Sequence, residues 1–141
     1  MTVQPKPGKK TPKIILDANA LFVPVQFNID ILEELKKLLN RNFEPILLSP
    51  TRQEIERIAV KGSSEMRKQA EYALKLAEKC RVLKVAQGKE TSTDDVIVQV
   101  ASKHKYAVFT NDRQLRNRLR DINVPVIYVR QKSRLEIDGR L

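Results

Sequence analysis

The sequence predicts an α/β fold, a three-layer α/β/α sandwich around a central, mainly parallel sheet of five strands. Three observations predict it. Short runs of β-branched and aliphatic residues alternate with stretches whose apolar residues recur at helical spacing. No two-residue hairpin signal joins one run to the next, so the connections are crossovers, and crossovers make the strands parallel. The 141 residues, 41% hydrophobic and 31% charged, suit one compact domain with a buried core and a solvated surface.

The elements follow in order. Residues 1–12, with Pro5, Pro7, Gly8 and Pro12 among polar side chains, read as a flexible basic arm, and the folded domain is expected over 13–130. A first strand is expected at Lys13–Leu16, followed by a helix whose apolar stripe is Ile31, Leu32, Leu35, Leu38 and Leu39. A second strand at Pro45–Leu48 leads into a short helix from Pro50 to Val60, with Pro50 in its first position and Ser49 as its cap. Met66, Ala70, Ala73, Leu74 and Ala77 mark the next helix, and Arg81–Val85 a third strand. Val96, Ile97, Val100 and Ala101 mark a helix before the fourth strand, Tyr106–Thr110, and Leu115 and Leu119 another before the fifth, Val124–Val129. Pro125 donates no N–H, so this last run is an edge strand or begins just after the proline. Residues 131–141 read as a basic tail whose Leu135 and Ile137 dock on the body.

Composition narrows the function classes. No apolar run approaches the roughly 20 residues of a membrane span, and no apolar stretch of signal-peptide length opens the chain. The single Cys80 cannot form an internal disulfide, so a reducing, cytoplasmic setting is expected, with no membrane partner. The 27 Lys and Arg against 17 Asp and Glu leave a net charge of +10, which favours polyanions. Basic character gathers at the ends: residues 1–13 hold Lys6, Lys9, Lys10 and Lys13 and no acid, and 111–141 hold eight bases against four acids. Lys9, Lys10, Arg113, Arg116, Arg118, Arg120, Arg130, Lys132 and Arg134 are therefore the candidate contacts for a phosphate backbone. A generally lysine-rich surface would share this charge without any ligand.

In a parallel open sheet, ligands bind outside the carboxyl ends of the strands. Asp17, Glu54, Asp94 and Asp112 each stand just after one of the first four strands, so the crossovers bring four acids to one rim. Two unit charges about 5 Å apart at an effective dielectric near 20 repel by about 3 kcal/mol, so such a rim needs a cation or raised pKa values. Mg²⁺ or Mn²⁺, hard and oxygen-liganded, is the natural counter-charge. Each acid also has a local reading: Asp17, Asp94 and Asp112 as helix caps, Glu54 in a capping box with Thr51, Asp94 in one with Thr91. Asp95 is the second choice to Asp94, whose place relative to the buried stripe of Val96, Ile97, Val100 and Ala101 favours the rim. His104, among lysines beyond that stripe, reads as a solvated helix-end residue. No glycine-rich phosphate loop and no metal-spaced Cys/His set is present, which weighs against nucleotide-cofactor enzymes and zinc proteins.

Ile15-Leu16-Asp17-Ala18-Asn19-Ala20-Leu21 resembles the opening motif of PIN (PilT N-terminal) domain ribonucleases. Ser49-Pro50-Thr51-Arg52-Gln53-Glu54-Ile55 resembles the second acidic motif of that family, Thr93-Asp94-Asp95-Val96-Ile97-Val98-Gln99-Val100-Ala101 the third, and Phe109-Thr110-Asn111-Asp112-Arg113-Gln114-Leu115 the fourth. The resemblance implies metal-dependent endonucleolytic hydrolysis of RNA, with Asp17, Glu54, Asp94 and Asp112 holding one or two Mg²⁺ or Mn²⁺ ions that activate water and stabilise the reacting oxygens. It implies that Asn19 orients Asp17 or meets the scissile phosphate, and that Thr110 hydrogen-bonds the acids. Within the family the basic 113–120 segment and Val124-Pro125-Val126-Ile127-Tyr128 look most like the small-subunit rRNA-processing branch. The VapC toxin branch stands second, and Gln114 occupies a place where toxins often carry a further acid. The implied partners are RNA, above all precursor small-subunit rRNA, with ribosome-assembly proteins, an antitoxin or a second copy of the chain as protein partners. A basic RNA-binding assembly factor without catalysis is the alternative of a different class.

Overall fold

The computed structural model describes residues 11–141, so Lys9 and Lys10 and nearly all of the expected arm lie outside it. Among the described residues the chain runs β1 (Lys13–Leu16), α1 (Ala18–Phe27), α2 (Ile31–Leu39), β2 (Glu44–Leu48), α3 (Ser49–Lys61), α4 (Ser64–Ala77), β3 (Arg81–Leu83), α5 (Thr93–His104), β4 (Ala107–Phe109), α6 (Arg113–Asp121), β5 (Val126–Arg130) and β6 (Arg134–Asp138). The strands form one sheet in the order β3-β2-β1-β4-β5-β6. All neighbours are parallel except β5 and β6, which are antiparallel. The expected α/β/α sandwich is therefore present, with six strands where five were expected.

Period-two alternation builds the two faces. Ile14, Leu16, Leu47 and Phe109 pack with buried residues of α1, α2, α3 and α4. Ile15, Ile46, Leu48 and Val108 point the other way and pack with Val96, Ile97 and Val100 of α5 and with Leu115 and Leu119 of α6. One apolar run thus serves two cores, which is why these strands read as continuous aliphatic segments.

Three differences from the expected elements have local causes. Helix α1 carries no clear apolar stripe, because Ala18, Ala20, Leu21, Phe22 and Val23 are all buried and Pro24 lies inside it. An all-round apolar helix has no periodicity to read. The C-terminal segment does dock on the body, but as β6, in register from Val126↔Asp138 to Arg130↔Arg134. As a result β5, which begins just after Pro125, is an inner strand and not the edge. Finally, Ser49 does not cap α3. Leu48 is the N-cap with no side-chain bond, and Ser49 Oγ instead accepts from Val85 N at 3.0 Å, joining α3 to the segment after β3.

Candidate active site

The direction of the chain turns over at β1: β2 and β3 lie on one side of it, β4 to β6 on the other. A sheet that reverses its order opens a crevice at the carboxyl ends of the strands flanking the reversal. Asp17 follows β1 and Asp112 opens the helix after β4, so these two acids stand on either side of that crevice. Glu54, in the second turn of α3, and Asp94, in the first turn of α5, reach it from the flanks. All four line one cavity of about 530 Å³, together with Asn19, Phe22, Arg57 and Ser92.

Asp17 is 6% exposed and the most constrained of the four. Its Oδ1 accepts from Ala18 N at 2.8 Å, and its Oδ2 accepts from Thr110 Oγ1 at 2.8 Å and Asn19 Nδ2 at 3.0 Å. Burial nevertheless dominates and lifts its pKa to about 6; the Thr110 and Ala18 bonds pull it down, and Asp94 and Glu54 push it further up. Burial likewise raises Glu54, with Asp94 adding to the rise and Arg57 opposing it. Asp94 is raised by burial first and by Asp112 second, against Arg118. The acids therefore feel one another across the cavity, which four independent caps would not.

Caps account for part of the set. Asp17 is the N-cap of α1, and Asp112 caps α6 by accepting from Gln114 N and Leu115 N at 2.8 and 3.1 Å. Neither expected capping box involving Glu54 or Asp94 forms. Thr51 is buried with no hydrogen-bond partner for Oγ1 among the described residues. At α5 the box belongs to Ser92 and Asp95, and Asp95 is further held by Arg118 at 2.9 Å. Once Asp95 is engaged outward, Asp94 is the acid that lines the cavity.

Thr110 and Asn19 form the scaffold beneath these carboxylates. Thr110, fully buried, donates to Asp17 and accepts from Asp112 N at 3.1 Å and Asn19 Nδ2 at 3.3 Å. Asn19 Oδ1 accepts from Asn111 N at 2.9 Å, and Asn111 Oδ1 accepts from Val129 N at 2.8 Å. Asn111, not among the residues expected at the site, is a bridge from β5 to the acids. Arg57, one turn after Glu54 on α3, is the other residue missed, and its i,i+3 spacing from Glu54 was the available signal.

The bases sort into two groups. Arg118 pairs with Asp95, Arg120 with Asp138, and Arg130 and Arg134 with Glu136, the arginines exposed and the acids half-buried. Arg116 instead lies over the Tyr128 ring, 4.3 Å from its centroid, and Lys132 lies near by, in the same cavity lining. Arg113 begins α6 beside Asp112. His104 ends α5 and stacks on Tyr106 at 5.2 Å, away from the acids.

The donor set consists of carboxylate oxygens, which suits a hard divalent cation. Among the described residues no three acidic, His or Cys side chains stand close enough together to hold a metal ion between them. Spaced carboxylates suit Mg²⁺ in particular, which keeps several waters and is commonly bound by one or two carboxylates plus substrate phosphate.

Residues 14–132 match the family described as a PIN like domain. The chain is 32% identical to Ribonuclease VapC4 of Methanocaldococcus jannaschii over 90% of this chain and 97% of that protein. It is 31% identical to the rRNA-processing protein fcf1 of Schizosaccharomyces pombe, over 87% of this chain and 62% of that protein. Among solved structures, the PIN domain endonuclease Utp24 superposes with a TM-score of 0.74 at 27% identity, covering 92% of each chain.

Proposed function

Because the chain belongs to the PIN-like domain family, we propose that it is a divalent-metal-dependent endoribonuclease that hydrolyses RNA phosphodiesters in rRNA maturation. The observation that carries this reading is the convergence of Asp17, Glu54, Asp94 and Asp112, from four separate crossovers, on one cavity. Asp17, Glu54, Asp94 and Asp112 would hold one or two Mg²⁺ or Mn²⁺ ions, which supply Lewis-acid activation of water and charge neutralisation at the phosphate.

The chain's own residues do the positioning. Thr110 and Asn19 hold Oδ2 of the Asp17 carboxylate and the Ala18 N–H holds Oδ1, so the site loses little freedom when substrate enters. Arg57, exposed on the cavity lining, offers a cation to a non-bridging phosphate oxygen. Lys9, Lys10, Arg113 and Lys132 would add sequence-independent attraction for the backbone, while Arg118, Arg120, Arg130 and Arg134 share their charge with acids and would contribute less. The nuclease unit takes in residues 13–130 together with strand β6.

The rRNA role is favoured by likeness to the rRNA-processing protein fcf1, and endonucleolytic cleavage by likeness to the PIN domain endonuclease Utp24. A toxin ribonuclease silenced by an antitoxin is the second reading, favoured by 32% identity to Ribonuclease VapC4 over nearly that protein's whole length. Mapping RNA 5′ ends in cells carrying the native chain or Asp17→Asn tests both. New ends confined to precursor small-subunit rRNA support the first, ends in mature RNAs support the second, and identical maps reject catalysis.

A further inference from the structure

Another cavity, of about 410 Å³, is lined by Asn111 together with Phe27, Arg116, Tyr128 and Lys132 among others. It is coupled to the acidic site through two short bonds, Val129 N to Asn111 Oδ1 at 2.8 Å and Asn111 N to Asn19 Oδ1 at 2.9 Å. Arg116 makes no ion pair among the described residues, unlike Arg118 and Arg120 on the same helix. Its guanidinium covers one face of Tyr128 at 4.3 Å, and its Nε is buried without a hydrogen-bond partner among the described residues. Tyr128 is itself fixed by donating from its hydroxyl to Glu136 Oε2 at 3.2 Å.

A guanidinium stacked on an aromatic ring has one planar face occupied and the opposite face available to another π-system. Unpaired RNA bases are recognised on such planes, and the adjoining phosphates by lysine or arginine. We infer that this cavity is a nucleobase subsite for single-stranded RNA, next to the phosphate held at the acids, with Arg116 as the stacking plane, Tyr128 as its backing and Lys132 toward the neighbouring phosphate. The inference takes its ligand class from the ribonuclease reading and adds where an unpaired base is held.

The test is equilibrium binding of a short fluorescent single-stranded RNA in excess EDTA, with a series of the same RNA carrying one abasic site at each position in turn. In the native chain one position should cost about tenfold in affinity when its base is removed. Arg116→Lys keeps the charge but loses the plane, so it should abolish that position-specific cost while leaving the salt dependence unchanged. Tyr128→Leu should behave in the same way, and Tyr128→Phe, which keeps the ring, should bind like the native chain. An abasic profile in folded Arg116→Lys equal to the native one, or a native profile with no sensitive position, overturns the subsite. Cleavage is read separately with Mn²⁺. A chain that shows the abasic signature but cuts no RNA keeps the subsite and loses the nuclease reading, whereas one that cuts RNA with an Arg116-independent profile loses only the subsite.

Discussion

The Thr110 hydroxyl donates a 2.8 Å hydrogen bond to Asp17 Oδ2, tying the residue after β4 to the residue after β1 across the crevice. This bond lowers the pKa of Asp17, yet burial outweighs it and holds the carboxyl near 6. A carboxyl whose folded pKa lies above its unfolded value binds its proton more tightly in the native state. Its contribution to stability therefore falls as pH rises from about 4 to 6, and the cost is fully present above that range. A rise from 3.8 to about 6 corresponds to roughly 3 kcal/mol. Urea unfolding in EDTA should show Asp17→Asn gaining stability relative to the native chain by about that amount between pH 4 and pH 7. Thr110→Val, which removes the lowering bond, should move the fall to higher pH. A pH-independent difference between the native chain and Asp17→Asn would mean that the carboxyl is not perturbed.

Asp94 separates charge repulsion from capping, because Ser92 and Asp95 already cap α5. Asp94→Asn should raise the metal-free melting temperature by removing an acid that faces Asp112. It should also flatten the response to Mn²⁺, which in the native chain amounts to about 2.7 kcal/mol at a free ion concentration about 100 times Kd. A thermal scan showing the full Mn²⁺ response in Asp94→Asn would remove Asp94 from the metal-binding set.

Most of the site was legible because a parallel sheet sends every strand's carboxyl end to one edge, so Asp17, Glu54, Asp94 and Asp112 could be placed from their order alone. The choice of Asp94 over Asp95 followed from the buried stripe of α5, and the Ser92–Asp95 box supplies its physical reason. What could not be read were contacts between residues distant in sequence. Asn111 did not stand out because its partners, Asn19 and Val129, lie on other elements. Strand β6 was hidden for a similar reason: Leu135 and Ile137 alternate too briefly to announce a strand, and only pairing with β5 defines it.

Cleavage of single-stranded RNA should require Mg²⁺ or Mn²⁺ and fail in EDTA. Asp17→Asn or Asp112→Asn should reduce turnover below detection while the circular dichroism spectrum is retained, since Asn keeps the shape and loses the charge. Asp112→Ala should in addition lose about 1 kcal/mol of stability, because Asp112 caps α6 through Gln114 N and Leu115 N. Undiminished cleavage in excess chelator would refute the metal requirement.

The basic ends should carry affinity and not chemistry. For single-stranded RNA, log K falls against log salt with a slope of about −0.7 per phosphate neutralised. Removing residues 1–10 takes away Lys6, Lys9 and Lys10 but keeps Pro12, whose carbonyl accepts from Glu44 N at 2.8 Å. This truncation should make the slope shallower by as much as about 2 and leave the kcat at saturating RNA unchanged. Replacing Arg118 and Arg120 together by Gln should change the slope less, since Asp95 and Asp138 already neutralise them. Equal slopes in all three proteins would mean that the charge is a general surface property.

A free toxin must cut accessible RNA unaided and is expected to offer a partner an apolar groove. Here the aromatic content is 5%, and the cavity of about 680 Å³ beside α2 and α4 mixes its apolar residues with Asp30, Glu33, Lys36 and Lys79. Such a surface is poorly suited to a dry apolar partner, whereas the net charge of +10 suits docking on structured RNA. Phosphate contacts position a protein without specifying sequence, so selectivity should come from RNA shape and unpaired loops. The purified protein should therefore cut generic RNA slowly and a small-subunit precursor fragment at one preferred unpaired site. Its expression in a foreign host should be tolerated. Rapid growth arrest on expression, relieved by Asp17→Asn or by co-expressing a small partner protein, would instead assign the chain to the toxin branch.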